Sequence, residues 1–184
     1  MGLGLIRVTT ADDDAAVADI RRLLTETAAA LLSAGARDEA LAEFVPARRV
    51  LGLQRPAAMR PLGRVWRLGV FLLGADGTLR ATGGITRAVE PGHPGHVAAS
   101  IEDRREHRAA AFRGPFPRGE TVHYDAPVIP LDAERLRSAA GPLFLRDGRP
   151  VVRWSPSADE GSAIALEGYL RERADLLLHP PEGA

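Results

Sequence analysis

Two apolar runs that flank Ala75-Asp76-Gly77 dominate residues 64–87 and limit what this chain can fold into. The first run, residues 66–73, is apolar at odd and even positions alike, which predicts a strand covered on both faces. The second run, residues 78–87, alternates apolar with polar side chains, which predicts a return strand with one polar face. A glycine in the loop supplies the positive φ that a tight connection needs. We therefore predict a β-hairpin at the centre of the fold.

A second hairpin is predicted at residues 142–154, with Asp147-Gly148 as its turn. We also predict strands at residues 48–54, 121–124 and 128–131, the last two at a sheet edge because of Pro127. These patterns favour an α+β fold with a mainly antiparallel sheet, for which a partly closed barrel is one form. The large aromatic side chains of the hairpins are predicted to lie in the core: Trp66, Phe71, Phe144 and Trp154.

Helical spacing of apolar residues predicts helices in the N-terminal, middle and C-terminal parts of the chain. The first begins near residue 10 and can end at Gly35, and a shorter continuation carries Leu41 and Phe44, so residues 1–45 form a helical segment. The middle helix runs from Ser100 to about Phe112, and a short helix follows Asp132. Residues 46–184 would then form the α+β core of a single domain, a size that suits 184 residues.

The composition excludes several kinds of catalytic chemistry. All 24 basic side chains are arginine, and the chain has neither lysine nor cysteine. Thiol nucleophiles, disulfides and cysteine zinc sites are therefore absent, and so are lysine Schiff bases and Ser-Lys dyads. We predict no cofactor.

Formal net charge is zero, with 24 basic and 24 acidic side chains. A chain without net charge has no overall electrostatic attraction to nucleic acid, and a net charge of zero favours self-association. The sequence shows no long apolar span and no basic-then-apolar leader, so we predict a cytoplasmic protein that binds neither membrane nor nucleic acid. A homodimer is the expected assembly.

Histidines are the first candidates for chemistry. His93, His96 and His107 could supply imidazole ligands to zinc or iron, although a Pro/Gly-rich loop does not hold the first two in a defined geometry. His123 and Asp125 lie two residues apart, which places an imidazole and a carboxylate on one strand face. This spacing predicts a general base oriented by an acid. Asp125 is equally placed to bond its own backbone before Pro127.

Arginines are the second set of candidates. Arg64 and Arg67 lie at the start of the predicted central strand, and Arg113 precedes Gly114. Arg67 is predicted to share a strand face with Phe71 and to be partly covered. A covered guanidinium needs an anionic partner, which is either an internal carboxylate or a bound ligand. The middle helix carries three more, Arg104, Arg105 and Arg108, interleaved with acids, which predicts a solvated face.

Three segments resemble a small family of actinobacterial proteins: residues 61–70 (PLGRVWRLGV), 109–116 (AAAFRGPF) and 151–156 (VVRWSP). The C-terminal residues 177–184 (LLHPPEGA) are similar as well. Some members carry the label glutaminase, and the resemblance therefore implies an amidohydrolase. Glutaminases use either a Ser-x-x-Lys nucleophile or a Cys-His pair, so no catalytic residue carries over to a chain without lysine and cysteine.

Two functions follow as expectations. The first is a non-catalytic domain that binds an anionic small molecule or a protein partner, with Arg64, Arg67 and Arg113 as ligand-binding residues. The alternative is a hydrolase-like enzyme, an amidohydrolase, that uses His123 and Asp125, with or without a metal held by the other histidines.

Overall fold

The computed structural model describes residues 10–50, 52–91, 99–155 and 160–180, and their fold is α+β. The described helices are α1 (Thr10–Ser33), α2 (Ala99–Arg113), α3 (Ala133–Arg137) and α4 (Leu166–Leu178). The first seven strands are β1 (Glu39–Val45), β2 (Arg48–Val50), β3 (Leu53–Arg55), β4 (Ala58–Leu68), β5 (Phe71–Gly74), β6 (Leu79–Ala81) and β7 (Gly84–Arg87). The remaining strands are β8 (Thr121–Tyr124), β9 (Leu143–Arg146), β10 (Arg149–Val152) and β11 (Ile164–Ala165). The predicted fold class is confirmed.

The chain divides into two compact units. Unit 1 comprises the described parts of residues 1–36, 68–81 and 128–184, and unit 2 those of residues 37–67 and 82–127. None of the described helices is both long enough and apolar enough to cross a membrane.

Unit 2 is built on strands in the order β4-β1-β8-β7. β1 pairs with β4 antiparallel and with β8 parallel, and β7 pairs with β8 antiparallel. The prediction that β8 is an edge strand is wrong, because β8 lies between β1 and β7. Pro127 follows the strand and does not interrupt its hydrogen bonds. Small side chains of the sheet and of α2 form one core cluster, with Ala40, Ala42 and Val122 from the sheet and Ala110 and Ala111 from the helix.

The segment at residues 39–45 is a strand, so the predicted helical continuation through Leu41 and Phe44 is wrong. Alternate residues Ala40, Ala42 and Phe44 belong to the cluster on α2, which is the period of two that a strand requires. The predicted strand at residues 48–54 is instead the tight hairpin of β2 and β3. Gly52 makes this reversal with φ 81°.

Unit 1 contains two hairpins. β5 and β6 pair antiparallel across the Ala75-Asp76-Gly77 loop, and β9 and β10 pair across Asp147-Gly148. Asp147 and Gly148 both have positive φ, 52° and 71°, as a type I′ turn requires. Both predicted turns are confirmed.

The predicted long strands around the first hairpin are wrong at two places. β4 ends at Leu68, and Gly69 turns the chain with φ 62° before β5 begins. The return strand stops at Ala81, and β7 begins at Gly84 as a separate strand of unit 2. Residues 128–131 form only an isolated bridge from Val128 to Arg80.

The helices of unit 1 bury apolar side chains at helical spacing, including Ile20, Leu24 and Leu31 of α1 and Leu170 of α4. Asp132 caps α3 by accepting a hydrogen bond from the backbone N–H of Arg135 at 2.9 Å. Among the aromatic side chains predicted to be buried, Trp66, Phe71 and Phe144 lie in the core. Trp154 does not, because it follows the end of β10 and is 51% exposed.

Candidate functional site

Unit 2 contains a cavity of about 570 Å³ bordered by β7, β8, α2, the start of β1 and the end of β4. The described residues that line it are Glu39, Arg67, Ile85, Thr86, Arg87, Val89, Arg104, His107, Arg108, Thr121 and Tyr124. Its volume lies within the usual range for small-molecule sites. All of the described lining residues belong to unit 2.

The cavity lining is strongly cationic. Four guanidinium groups contribute to it, and Glu39 is the one carboxylate that the described residues place there. Arg104 and Arg108 stand four residues apart on α2 with His107 between them, so the three share one helix face. Arg67 comes from β4 and Arg87 from β7. Across the described part of the chain, Arg67, Arg87 and Arg108 form no ion pair with a carboxylate.

Glu39 is bound to a buried histidine. His123 Nε2 lies 2.5 Å from Glu39 Oε2, and the His123 side chain is only 2% exposed. The parallel register of β1 and β8 explains the pair, since His123 lies opposite Leu41, two residues after Glu39 on the same strand face. The hydrogen bond from His123 lowers the pKa of Glu39 below 4.5, and the charges of Arg67 and Arg37 lower it further against the opposing effect of burial.

This lowered pKa predicts a pH dependence of stability. A carboxyl whose pKa is lower in the folded state than in the unfolded state stabilises the fold above its unfolded value and loses that contribution on protonation. Wild-type stability is therefore expected to fall as the pH drops through 4.5 and through the lower folded-state pKa of Glu39. In Glu39→Gln this contribution to the fall in stability with decreasing pH should be missing. Urea unfolding at a series of pH values below about 5 measures it, and equal slopes in both proteins would contradict the prediction.

Three rings pack together at one side of the cavity. His107 stacks on Tyr124 with ring centroids 4.5 Å apart and an interplanar angle of 25°. The rings of Phe44 and His107 meet edge to face, with their centroids 4.3 Å apart. Burial, and then the charge of Asp125, raises the pKa of Tyr124. The stack fixes His107 within the lining, and His107 Nδ1 is buried with no hydrogen-bond partner in the part of the chain that the structure describes.

Of the three arginines predicted to bind a ligand, only Arg67 reaches this cavity. Its side chain is exposed rather than partly covered, because the turn at Gly69 removes Phe71 from the strand that carries Arg67. Arg64 binds Asp38 Oδ1 at 2.7 Å and also pairs with Glu120, which raises its pKa. Arg113 donates a hydrogen bond to the backbone carbonyl of Ala57 at 2.6 Å. These two arginines have structural partners within the protein.

The predicted orientation of His123 by Asp125 is wrong. β8 ends at Tyr124, and Asp125 leaves the strand with φ 51°, so the two side chains do not share a strand face. The carboxylate that binds His123 is Glu39. Because the imidazole is 2% exposed, a substrate in the cavity does not reach it in this arrangement.

The metal site predicted at His93, His96 and His107 stays a prediction. His93 and His96 lie outside the described residues, while His107 packs between Phe44 and Tyr124. Among the described residues, no group of three or more His, Asp or Glu side chains is arranged to hold a metal ion.

The middle helix is more than the predicted solvated face. Arg105 does pair with Glu102 at 3.2 Å on the surface, but Arg104 and Arg108 line the cavity. Glu39 and Arg87 were not expected there at all. The i, i+3, i+4 spacing of Arg104, His107 and Arg108 is the one local signal that pointed to a shared cationic face.

Comparisons with models of protein families, with curated proteins and with solved structures found no match to this chain. The resemblance to the actinobacterial family stays a prediction.

Proposed function

We propose that this protein is a cytoplasmic domain that binds an anionic small molecule in the cavity of unit 2. The supporting observation is the convergence of four arginines from two strands and one helix on a space of about 570 Å³ that holds a single described carboxylate. The homodimer predicted from the balanced charge belongs to the same proposal, as does the expectation that binding involves no catalysis.

Among the described residues, Arg67, Arg87 and Arg108 have no acidic partner and can bind an anion. Guanidinium groups recognise carboxylates and phosphates through paired, charge-assisted hydrogen bonds, which are about twice as strong as neutral ones. Placing several cations around one concave surface raises the local potential, and an anion that enters lowers their mutual repulsion. The apolar side chains of Ile85 and Val89 offer contact to the uncharged part of such a ligand.

Substitution of single arginines tests the proposal. Arg67→Gln and Arg108→Gln should each weaken binding of pyrophosphate or citrate by at least about tenfold, since a hydrogen bond to a charged group contributes about 1.5–3 kcal/mol. Isothermal titration of the full chain measures the affinity. Native mass spectrometry of gently purified protein would show in addition the subunit number and the mass of any retained ligand.

Arg49→Gln is the matched control, because Arg49 is an exposed arginine of the same unit that does not line the cavity. Its affinity should equal that of wild type. Equal losses in all three variants would show that anions bind only through general surface charge, and the proposal would then fail.

A further inference from the structure

The cavity that we propose for an anion also presents a carboxylate. Glu39 lies in its lining with 28% of the side chain exposed, and His123 holds it through Oε2. Within the described residues Oε1 accepts no side-chain hydrogen bond, so this oxygen is available to a bound molecule. A purely anionic ligand would be repelled at this point by a like charge.

Glu39 is held in the ionised form by its surroundings. The buried imidazole of His123 and the charge of Arg67 both favour the carboxylate. An ionised carboxylate has acceptor sites and no donor. A ligand that contacts Glu39 must therefore supply an N–H or O–H group, while its anionic groups contact the arginines.

We propose that the cavity selects anions that carry a hydroxyl or ammonium donor close to the charged group, and that Glu39 is the specificity-determining residue. This inference rests on the proposed function of the same cavity. The geometry behind it is the placement of one anchored carboxylate among Arg67, Arg87 and Arg108. Simple dicarboxylates and inorganic anions would use the arginines alone and bind more weakly.

Three acids with one four-carbon skeleton test the selection: succinate without a donor, malate with a hydroxyl and aspartate with an ammonium group. Isothermal titration of the wild-type chain should give malate or aspartate an affinity at least about tenfold higher than that of succinate. Succinate has no donor, so its binding would leave the Glu39 carboxylate without a hydrogen bond. This ratio is measured on the wild-type protein and does not depend on the folding of any variant.

Glu39→Gln should reduce the ratio to within about threefold, chiefly by improving the binding of succinate, since the amide carries no charge. Arg67→Gln should lower the affinity for all three acids and leave the ratio nearly unchanged. Circular dichroism confirms that each variant is folded before titration.

The outcomes separate this inference from the proposed function. Equal affinities of the three wild-type complexes, or a ratio that Glu39→Gln leaves unchanged, would overturn the selection by Glu39. If none of the acids binds while pyrophosphate binds through Arg67 and Arg108, the inference falls and the anion cavity stands. If neither the acids nor pyrophosphate binds, both fall.

Discussion

Gly83→Ala is expected to destabilise the protein by about 3 kcal/mol, although it adds a single methyl group. A Cβ at Gly83 would lie 2.5 Å from the carbonyl oxygen of Tyr124 and closer still to that of Asp125. Both atoms belong to the backbone at the end of β8, so no side-chain rotation relieves the contact. The backbone of unit 2 has to shift next to the residues that line the cavity.

Urea unfolding monitored by circular dichroism measures this loss as a lower transition midpoint. Gly168→Ala is the control, because a Cβ at Gly168 meets no atom within 4 Å and the residue lies in α4. There alanine should raise stability by about 0.5–1 kcal/mol through its higher helix propensity. If Gly83→Ala were as stable as wild type, the close approach of residue 83 to the end of β8 would be wrong.

Features encoded by neighbouring residues could be predicted from the sequence. Asp147-Gly148 indicates a type I′ turn because both positions need positive φ, and that turn forms between β9 and β10. The side chain of Asp132 marks the start of α3 for the equally local reason that it caps a backbone N–H. Such signals were enough to establish the α+β class and most helices.

Short apolar segments were harder to interpret, since seven residues do not separate a strand from a helix by periodicity alone. The segment at residues 39–45 is a strand because it pairs with both β4 and β8, and both partners lie far along the chain. The turn inside residues 66–73, at Gly69, is missed for a related reason. Apolar residues continue on either side of it, so only its positive φ reveals the turn.

The candidate site depends still more on distant contacts. Glu39 and His123 are separated by 84 residues and meet through the parallel register of β1 and β8. No local pattern places an arginine of β4 beside one of β7. The sequence therefore indicated the right kind of chemistry, arginines for an anion, but assigned only Arg67 of the cavity residues to ligand binding.

Arg137→Ala is the second substitution with a large expected effect, about 3 kcal/mol of destabilisation. Arg137 Nε lies 2.6 Å from Asp13 Oδ2, and the Asp13 side chain is only 4% exposed. Removing the arginine leaves a buried carboxylate without the cation that balances it. Its desolvation is then uncompensated, which is far more costly than the loss of an exposed pair.

Arg22→Ala provides the comparison, because Arg22 pairs with both Asp19 and Glu26 on the surface of α1. Although two ion pairs are lost, the expected destabilisation is much smaller than that of Arg137→Ala, since exposed pairs are screened by solvent and ordered at an entropic cost. Urea unfolding of both variants tests whether Arg137→Ala destabilises the protein more than Arg22→Ala does. Burial of one partner, rather than the number of pairs, then determines the effect, and a larger loss for Arg22→Ala would contradict this account.

The double variant Asp13→Ala/Arg137→Ala separates the cost of the unpaired charge from the value of the contact. Removing Asp13 also removes the buried carboxylate, so the double variant should be destabilised by less than the sum of the two single changes. A coupling of about 1–3 kcal/mol is expected for groups in direct contact. Strict additivity of the two single changes would mean that water solvates Asp13 when Arg137 is lost. The large effect of Arg137→Ala would then have to come from packing of the arginine's alkyl chain.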